Sequence, residues 1–364
     1  MLRLFAALLV IIGHACEVYQ MRLPDIIGHS AKEGVAIFFV LSGFVIAFVV
    51  ARKERDWRAF FAARMLRMYS VVPLALMVML LCHALGSLIR PEIYGLGEYP
   101  GLRVNGGAVG AELSWQAVIR YLTFTNEIWF ERVVISTGAP FWSLGFEVAY
   151  YVIFAVLFYA RGALRWSLAL LWLLICGPRI AAALPLWLIG VAAWRLIPRM
   201  PRLGRRLAWL ALACIGACAL VWRKWAGWAA SPLFEWLAPG AMATSFGYYF
   251  VLGILVAAAV VVFATGLHGR SIWPPSFERV VKFCAGASFT LYIAHLPVMV
   301  LIAAIWPSSV GSNFGGLVAT VGTIAAMFAL AELGERRKEA YSKMFVSVCS
   351  ILRSMQRKDT SASD

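Results

Sequence analysis

Three ionisable side chains of this 364-residue chain lie inside long apolar runs: His14, Glu147 and His295. An ionisable group at the centre of a bilayer costs about 2.5–3.5 kcal/mol, so each is a candidate for function. Arg3 precedes His14 by eleven residues. That spacing is close to three helical turns, so both side chains share one helix face, about 16 Å apart along the axis. One face of this helix thus carries a cation near its start and an imidazole towards its other end.

The run 142–151 carries Ser143, Glu147 and Tyr151 at i, i+4 and i+8. On a helix this spacing puts a hydroxyl, a carboxylate and a phenol on one stripe. Counted from the start of its apolar run, Glu147 is expected at a depth similar to that of His14. The sequence therefore predicts a buried acid/base pair, in which the carboxylate holds the imidazole tautomer and stabilises its cation.

Structural interpretations stay open for both histidines. An intramembrane histidine often only forms a hydrogen bond between packed helices, and this applies to His14. His295 precedes Pro297, which frees a backbone carbonyl, so His295 could cap the proline kink. The motifs of zinc peptidases, serine hydrolases and nucleotide-binding loops are absent where their chemistry could work. No metal site is predicted.

The composition identifies a membrane protein. Hydrophobic residues make up 62% of the chain and charged residues only 14%, whereas a soluble domain has roughly a quarter of its residues charged. Seven cysteines form no CxxC pair and indicate neither a disulfide framework nor a zinc site. The pattern predicts an all-α polytopic protein with about ten transmembrane helices. The apolar windows are 2–20, 34–51, 70–89, 141–160, 164–178, 180–197, 206–222, 246–265, 283–304 and 314–333.

The net charge of +15 follows a topology pattern. The connection 51–69 holds six basic residues, among them Arg64 and Arg67, whereas the connection 21–33 holds two. The positive-inside rule then places 51–69 and both termini in the cytoplasm. Because the basic residues form short clusters between apolar runs, nucleic acid is excluded as a partner and membrane lipid is expected instead.

A single membrane-embedded domain is expected over residues 1–335, followed by a basic cytoplasmic tail, 336–364. The longest connection, 90–140, is rich in glycine in its first half and aromatic over 115–130. Its length predicts a lid or an acceptor-binding surface, and the alternative is an interfacial helix with a loose loop. No internal repeat is evident, which counts against an inverted-repeat transporter.

Five segments with candidate residues follow one another along the chain. They are Arg3 with His14 after ten intervening residues, Gly34 to Phe44, Arg64 with Arg67, Trp142 to Tyr151, and Ser288 to His295. In this order they resemble the acyltransferase 3 family of bacterial integral-membrane O-acyltransferases, and the resemblance covers nearly the whole chain. Each segment alone is moderately specific, and the ordered set is strongly so. Ala36 stands where the family has an aspartate.

The resemblance implies transfer of an acyl group, often acetyl, from cytosolic acyl-CoA to a hydroxyl of a surface or lipid-linked carbohydrate or another small acceptor. It implies that Arg3, Arg64 and Arg67 meet the CoA phosphates, and that His14 takes the acceptor proton while Glu147 orients it. Further candidates for the substrate site are Ser42, Trp142, Ser143, Tyr151, Tyr292 and His295.

No permanently bound cofactor is expected, and acyl-CoA serves as the donor. The implied location is the bacterial cytoplasmic (inner) membrane. The chain leaves no room after residue 333 for the extracytoplasmic hydrolase-like domain that some relatives carry, so a stand-alone form is expected. Two other functions stay open: a proton-coupled transporter or exporter of a small metabolite or lipid-linked product, and a non-catalytic membrane receptor or assembly partner.

Overall fold

The computed structural model describes residues 1–24, 28, 30–54, 56–95, 113–226, 246–267 and 273–341. Within these ranges the chain consists of α-helices, short 3₁₀ turns and connections, with no strand. The predicted all-α class is confirmed. The glycine-rich residues 96–112 of the long connection and residues 342–364 of the predicted tail lie outside the described residues.

The α-helices are numbered along the described chain. They are α1 (Leu2–Tyr19), α2 (Ala31–Arg52), α3 (Trp57–Tyr69), α4 (Val72–Ile89), α5 (Pro91–Gly95), α6 (Trp115–Thr123), α7 (Trp142–Tyr159), α8 (Leu164–Cys176), α9 (Pro178–Leu196), α10 (Arg205–Ala226), α11 (Phe246–Gly266), α12 (Pro275–Ala285), α13 (Ser288–Ile305) and α14 (Asn313–Leu333).

Nine helical segments of the described chain are long and apolar enough to cross a membrane. They match nine of the predicted windows, and the tenth, 164–178, is the shorter apolar helix α8. The protein is therefore a multi-pass membrane protein. The third segment, Trp57–Ile89, begins well before its predicted window because α3 and α4 follow one another directly. The basic connection 51–69 is thus largely helical.

Helix α2 packs against α1 on one side and α9 on another. Two glycines allow the close approach of α2 and α9. A Cβ at Gly43 would collide with the backbone of Trp187, and a Cβ at Gly190 would collide with the backbone of Val40. Small residues at such crossings let membrane helices approach closely, which strengthens van der Waals contact where lipid provides no hydrophobic drive.

Helix α13 is the most buried of the described spans, with 78% of its membrane window inside the protein. Helices α1, α4 and α14 pack around it. Its polar residues Ser288, Thr290, Tyr292 and His295 are nevertheless all buried. Because an apolar environment cannot satisfy their hydrogen bonds, each needs a partner inside the bundle. Those partners define the candidate site.

Candidate active site

The two intramembrane histidines form a direct contact between α1 and α13. Nδ1 of His14 lies 2.8 Å from Nε2 of His295, and the two rings stack with centroids 5.1 Å apart. His295 is fully buried, whereas His14 keeps some exposed surface. Nδ1 of His295 lies 2.9 Å from the carbonyl oxygen of Leu291. The carbonyl freed by Pro297 is that of Ile293, so this contact does not cap the proline kink.

One helical turn before His295, Tyr292 joins α13 to α7. The hydroxyl groups of Tyr292 and Ser143 are 2.7 Å apart, and both side chains are buried. Phe38 of α2 packs edge-on against the Tyr292 ring with centroids 4.9 Å apart. The contact fixes the phenol between three helices, and it brings two of the predicted site residues together.

One turn further along α7, Glu147 accepts hydrogen bonds from two hydroxyl groups. The Ser42 hydroxyl of α2 donates to Oε1 at 2.8 Å, and the Tyr151 phenol donates to the same oxygen. Tyr151 is fully buried. The carboxylate therefore links α2 to α7 and has polar partners despite its place in an apolar span.

The predicted hydrogen-bonded pair of His14 and Glu147 is not formed. The carboxylate is about 10 Å from the histidine pair along the bundle. This distance adds the three residues from His295 to Tyr292 and the four residues from Ser143 to Glu147, since Tyr292 and Ser143 are in contact. The sequence therefore misjudged the position of Glu147 relative to His14, although α7 begins within one residue of its predicted window.

A cavity connects Ser143, Glu147 and Tyr292 to the end of the bundle that carries Arg3. Its interior volume is about 40 Å³, and it is partly open to its surroundings. The wall is otherwise apolar, built mainly from α2 and Phe289. Its polar lining consists of Arg3, Ser42, Arg67, Ser143, Glu147 and Tyr292. The cavity thus brings together most of the predicted site residues, and it ends one helical turn short of the histidine pair.

The three predicted arginines have different surroundings. Arg3 and Arg67 line the cavity, and neither forms an ion pair with a carboxylate among the described residues. Arg67 lies over the ring of Phe289, 5.3 Å from its centroid. Arg64 is buried, forms a 2.6 Å ion pair with Glu54, and does not line the cavity. Two guanidinium groups therefore remain to meet a ligand.

Trp142 contributes to the site through packing. Its ring contacts Phe39 and Phe146 edge-on, at centroid distances of 6.1 and 5.2 Å. Phe39 in turn lines the cavity. Trp142 itself does not, so the structure places it behind the cavity wall.

The family model Acyl_transf_3, described as an acyltransferase domain, matches residues 1–332. The chain belongs to this acyltransferase family. Neither a curated protein nor a solved structure shows significant similarity to it. The polar groups described above are thus the buried polar groups of a membrane acyltransferase.

Glu335 is a residue of the acyltransferase that sequence reasoning missed. Its carboxylate accepts the backbone N–H groups of Phe289 and Thr290 at 3.1 and 3.0 Å, and the Thr290 hydroxyl at 3.1 Å. It caps the start of α13, whose own N-cap residue, Ala287, has no side-chain oxygen. Arg67 interacts electrostatically with both Glu335 and Glu147. The sequence offered two signals for this contact. Glu335 is an acid next to the basic residues 336–338, and the N-cap position of α13 has no capping side chain.

We expect Glu335→Ala to lower the stability of the acyltransferase by about 0.5–2 kcal/mol, the usual cost of losing an N-cap. The cause is the loss of the acceptor for three donors at the start of α13. The measurement is the thermal unfolding midpoint in detergent. Glu332→Ala is the matched control, because Glu332 is exposed and only pairs with Arg336 one turn away. Equal midpoints for the two variants would contradict the capping role.

The described part of the long connection is anchored at the opposite end of the bundle. Glu127 is fully buried, and its carboxylate lies 2.7 Å from the guanidinium of Arg179 at the start of α9. The backbone N–H of Trp129 donates to the carbonyl of Cys176. Helix α6 exposes Trp115, which fits an interfacial position. The anchored segment covers the start of α7.

Burial raises the pKa of Glu127 to about 7, against the opposing influence of Arg179 and Arg132. A carboxyl whose pKa is raised by folding stabilises the protein below its unfolded pKa, and this stabilisation is lost as pH rises through the folded pKa. We therefore expect wild type to lose thermal stability relative to Glu127→Gln between pH 5 and pH 8. A gain by wild type over this range would show that the ion pair outweighs burial.

Proposed function

We propose that this membrane acyltransferase transfers an acyl group, acetyl in the simplest case, from cytosolic acyl-CoA to a hydroxyl of a surface or lipid-linked carbohydrate. One observation carries the proposal. Near one end of a single cavity lie two guanidinium groups that form no ion pair with a described carboxylate. Hydroxyl groups and a carboxylate line its wall, and the histidine pair lies one turn beyond its other end. An anionic donor with a long, flexible acyl-bearing arm fits this order.

In this proposal Arg3 and Arg67 bind the phosphate groups of the donor. Guanidinium groups form bidentate, charge-assisted hydrogen bonds with phosphate, and these two have no competing carboxylate within ion-pair distance among the described residues. Arg64 acts indirectly, since its pair with Glu54 ties α3 to the connection that precedes it. The Arg3 end of the cavity then faces the cytoplasm, as the distribution of basic residues predicts.

The proposed reaction is direct transfer. His14 takes the proton of the acceptor hydroxyl, whose oxygen attacks the carbonyl carbon of the thioester. A carbon–oxygen bond forms and the carbon–sulfur bond breaks, so that CoA leaves as a thiolate and receives the proton from His14. General-base catalysis of this kind contributes about 10²–10⁴-fold in rate. In this scheme the hydroxyl groups of Ser143 and Tyr292, which line the cavity, stabilise the developing oxyanion.

Glu147 has a different role in this scheme from the one that its spacing predicted. It accepts hydrogen bonds from Ser42, which lines the cavity, and from Tyr151, which does not, and its charge offsets that of Arg67. The carboxylate therefore organises the donor end of the site. In this scheme His295, which contacts His14, takes the role of holding the imidazole tautomer.

The proposal predicts that His14→Ala lowers acyl transfer by about 10²-fold or more. The measurement uses purified protein in detergent, radiolabelled acetyl-CoA, and surface and lipid-linked glycans extracted from a deletion strain. The matched control is His83→Ala, because His83 bonds Ser136 away from the cavity. Transfer by His14→Ala at the wild-type rate would refute His14 as the base. Absence of transfer by folded wild type, with proton-coupled export of a small solute, would favour the transporter.

A further inference from the structure

The hydrogen bonds of the histidine pair leave only one arrangement of its protons. A backbone carbonyl oxygen accepts hydrogen bonds and cannot donate. Because Nδ1 of His295 lies 2.9 Å from the carbonyl oxygen of Leu291, this nitrogen carries a proton. In a neutral imidazole the other nitrogen is then a lone-pair acceptor. His295 is fully buried among apolar residues, where a neutral ring is strongly favoured.

The same reasoning extends from His295 to His14. Nε2 of His295 offers a lone pair, and Nδ1 of His14 lies 2.8 Å away, so Nδ1 of His14 donates the hydrogen bond. A neutral His14 therefore carries its proton on Nδ1. Its Nε2 keeps the lone pair and is the nitrogen that can accept a proton.

We propose that His295 is a positioning residue that fixes the tautomer of His14 and thereby makes Nε2 of His14 the catalytic base. The proposal rests on the proposed function, in which His14 takes the acceptor proton. His295 acts through His14 because it is fully buried, whereas His14 keeps exposed surface. When His14 becomes a cation, the lone pair of His295 stabilises it through the same hydrogen bond.

Helix α13 holds this chain of contacts in place. Glu335 caps its first turn, and Tyr292 joins it to Ser143 one turn before His295. These contacts fix the height of the Leu291 carbonyl, which sets the orientation of the His295 ring. The Leu291 carbonyl and the neutral His295 ring thus take the tautomer-holding role that the residue spacing predicted for the Glu147 carboxylate.

Two variants of His295 separate positioning from packing. His295→Phe keeps a planar ring and removes the acceptor for Nδ1 of His14. His295→Gln places a carbonyl oxygen near the former position of Nε2 and restores that acceptor. We expect His295→Phe to lower kcat for acetyl transfer about 100-fold with KM for acetyl-CoA unchanged, which is the lower range for loss of general-base catalysis. We expect His295→Gln to recover at least about tenfold of that loss.

The outcomes distinguish this inference from the proposed function. Wild-type kcat in folded His295→Phe, or equal activity of the Phe and Gln variants, overturns the positioning role while loss of transfer in His14→Ala still supports the base. Unchanged transfer in His14→Ala overturns both. If His295→Phe fails to fold, ¹⁵N spectra of histidine-labelled wild type decide, with the His14 signals identified by their loss in His14→Ala. Protonation of His14 at Nδ1 supports the proposal, and protonation at Nε2 overturns it.

Discussion

A polar side chain buried in a membrane bundle must find its hydrogen-bond partner inside that bundle, because lipid offers none. This constraint shapes the central part of the acyltransferase. Along α13, three buried polar residues have partners on other segments: Thr290 binds Glu335 at the first turn, Tyr292 binds Ser143, and His295 binds His14. Because these partners come from α7, from α1 and from the segment after α14, satisfying them also determines how the helices fit together.

The same contacts divide the work of the site between its two ends. At one end, Arg3 and Arg67 supply positive charge. The Glu147 carboxylate, which accepts two hydroxyl hydrogen bonds, partly neutralises that charge. At the other end, the proposed base, His14, contacts the neutral ring of His295 rather than a carboxylate. In the proposed reaction, the groups that bind phosphate lie about 10 Å or more from the base along the bundle.

Much of the fold follows from the sequence, since the apolar windows and their basic flanks locate every described span. The spacing of Arg3 and His14 also places both residues on one helix. Arg3 lines the cavity, and His14 belongs to the histidine pair. The partner of His14 could not be predicted, because His295 is 281 residues away and only the packing of α1 on α13 joins them. The position of Glu147 relative to His14 was misjudged because hydropathy locates each span but not its offset along the bundle from a neighbouring span. Glu54, ten residues before Arg64, was the local signal that this arginine is already paired.

We propose that the acyl donor passes through the cavity from Arg3 and Arg67 towards the histidine pair. A cryo-electron microscopy structure of the full chain with bound CoA is the decisive test. We expect phosphate density within hydrogen-bond distance of both guanidinium groups, and the CoA thiol near Tyr292, one turn from His295. Density for CoA that leaves Arg3 and Arg67 without contact, or that enters from the opposite end of the bundle, would contradict it.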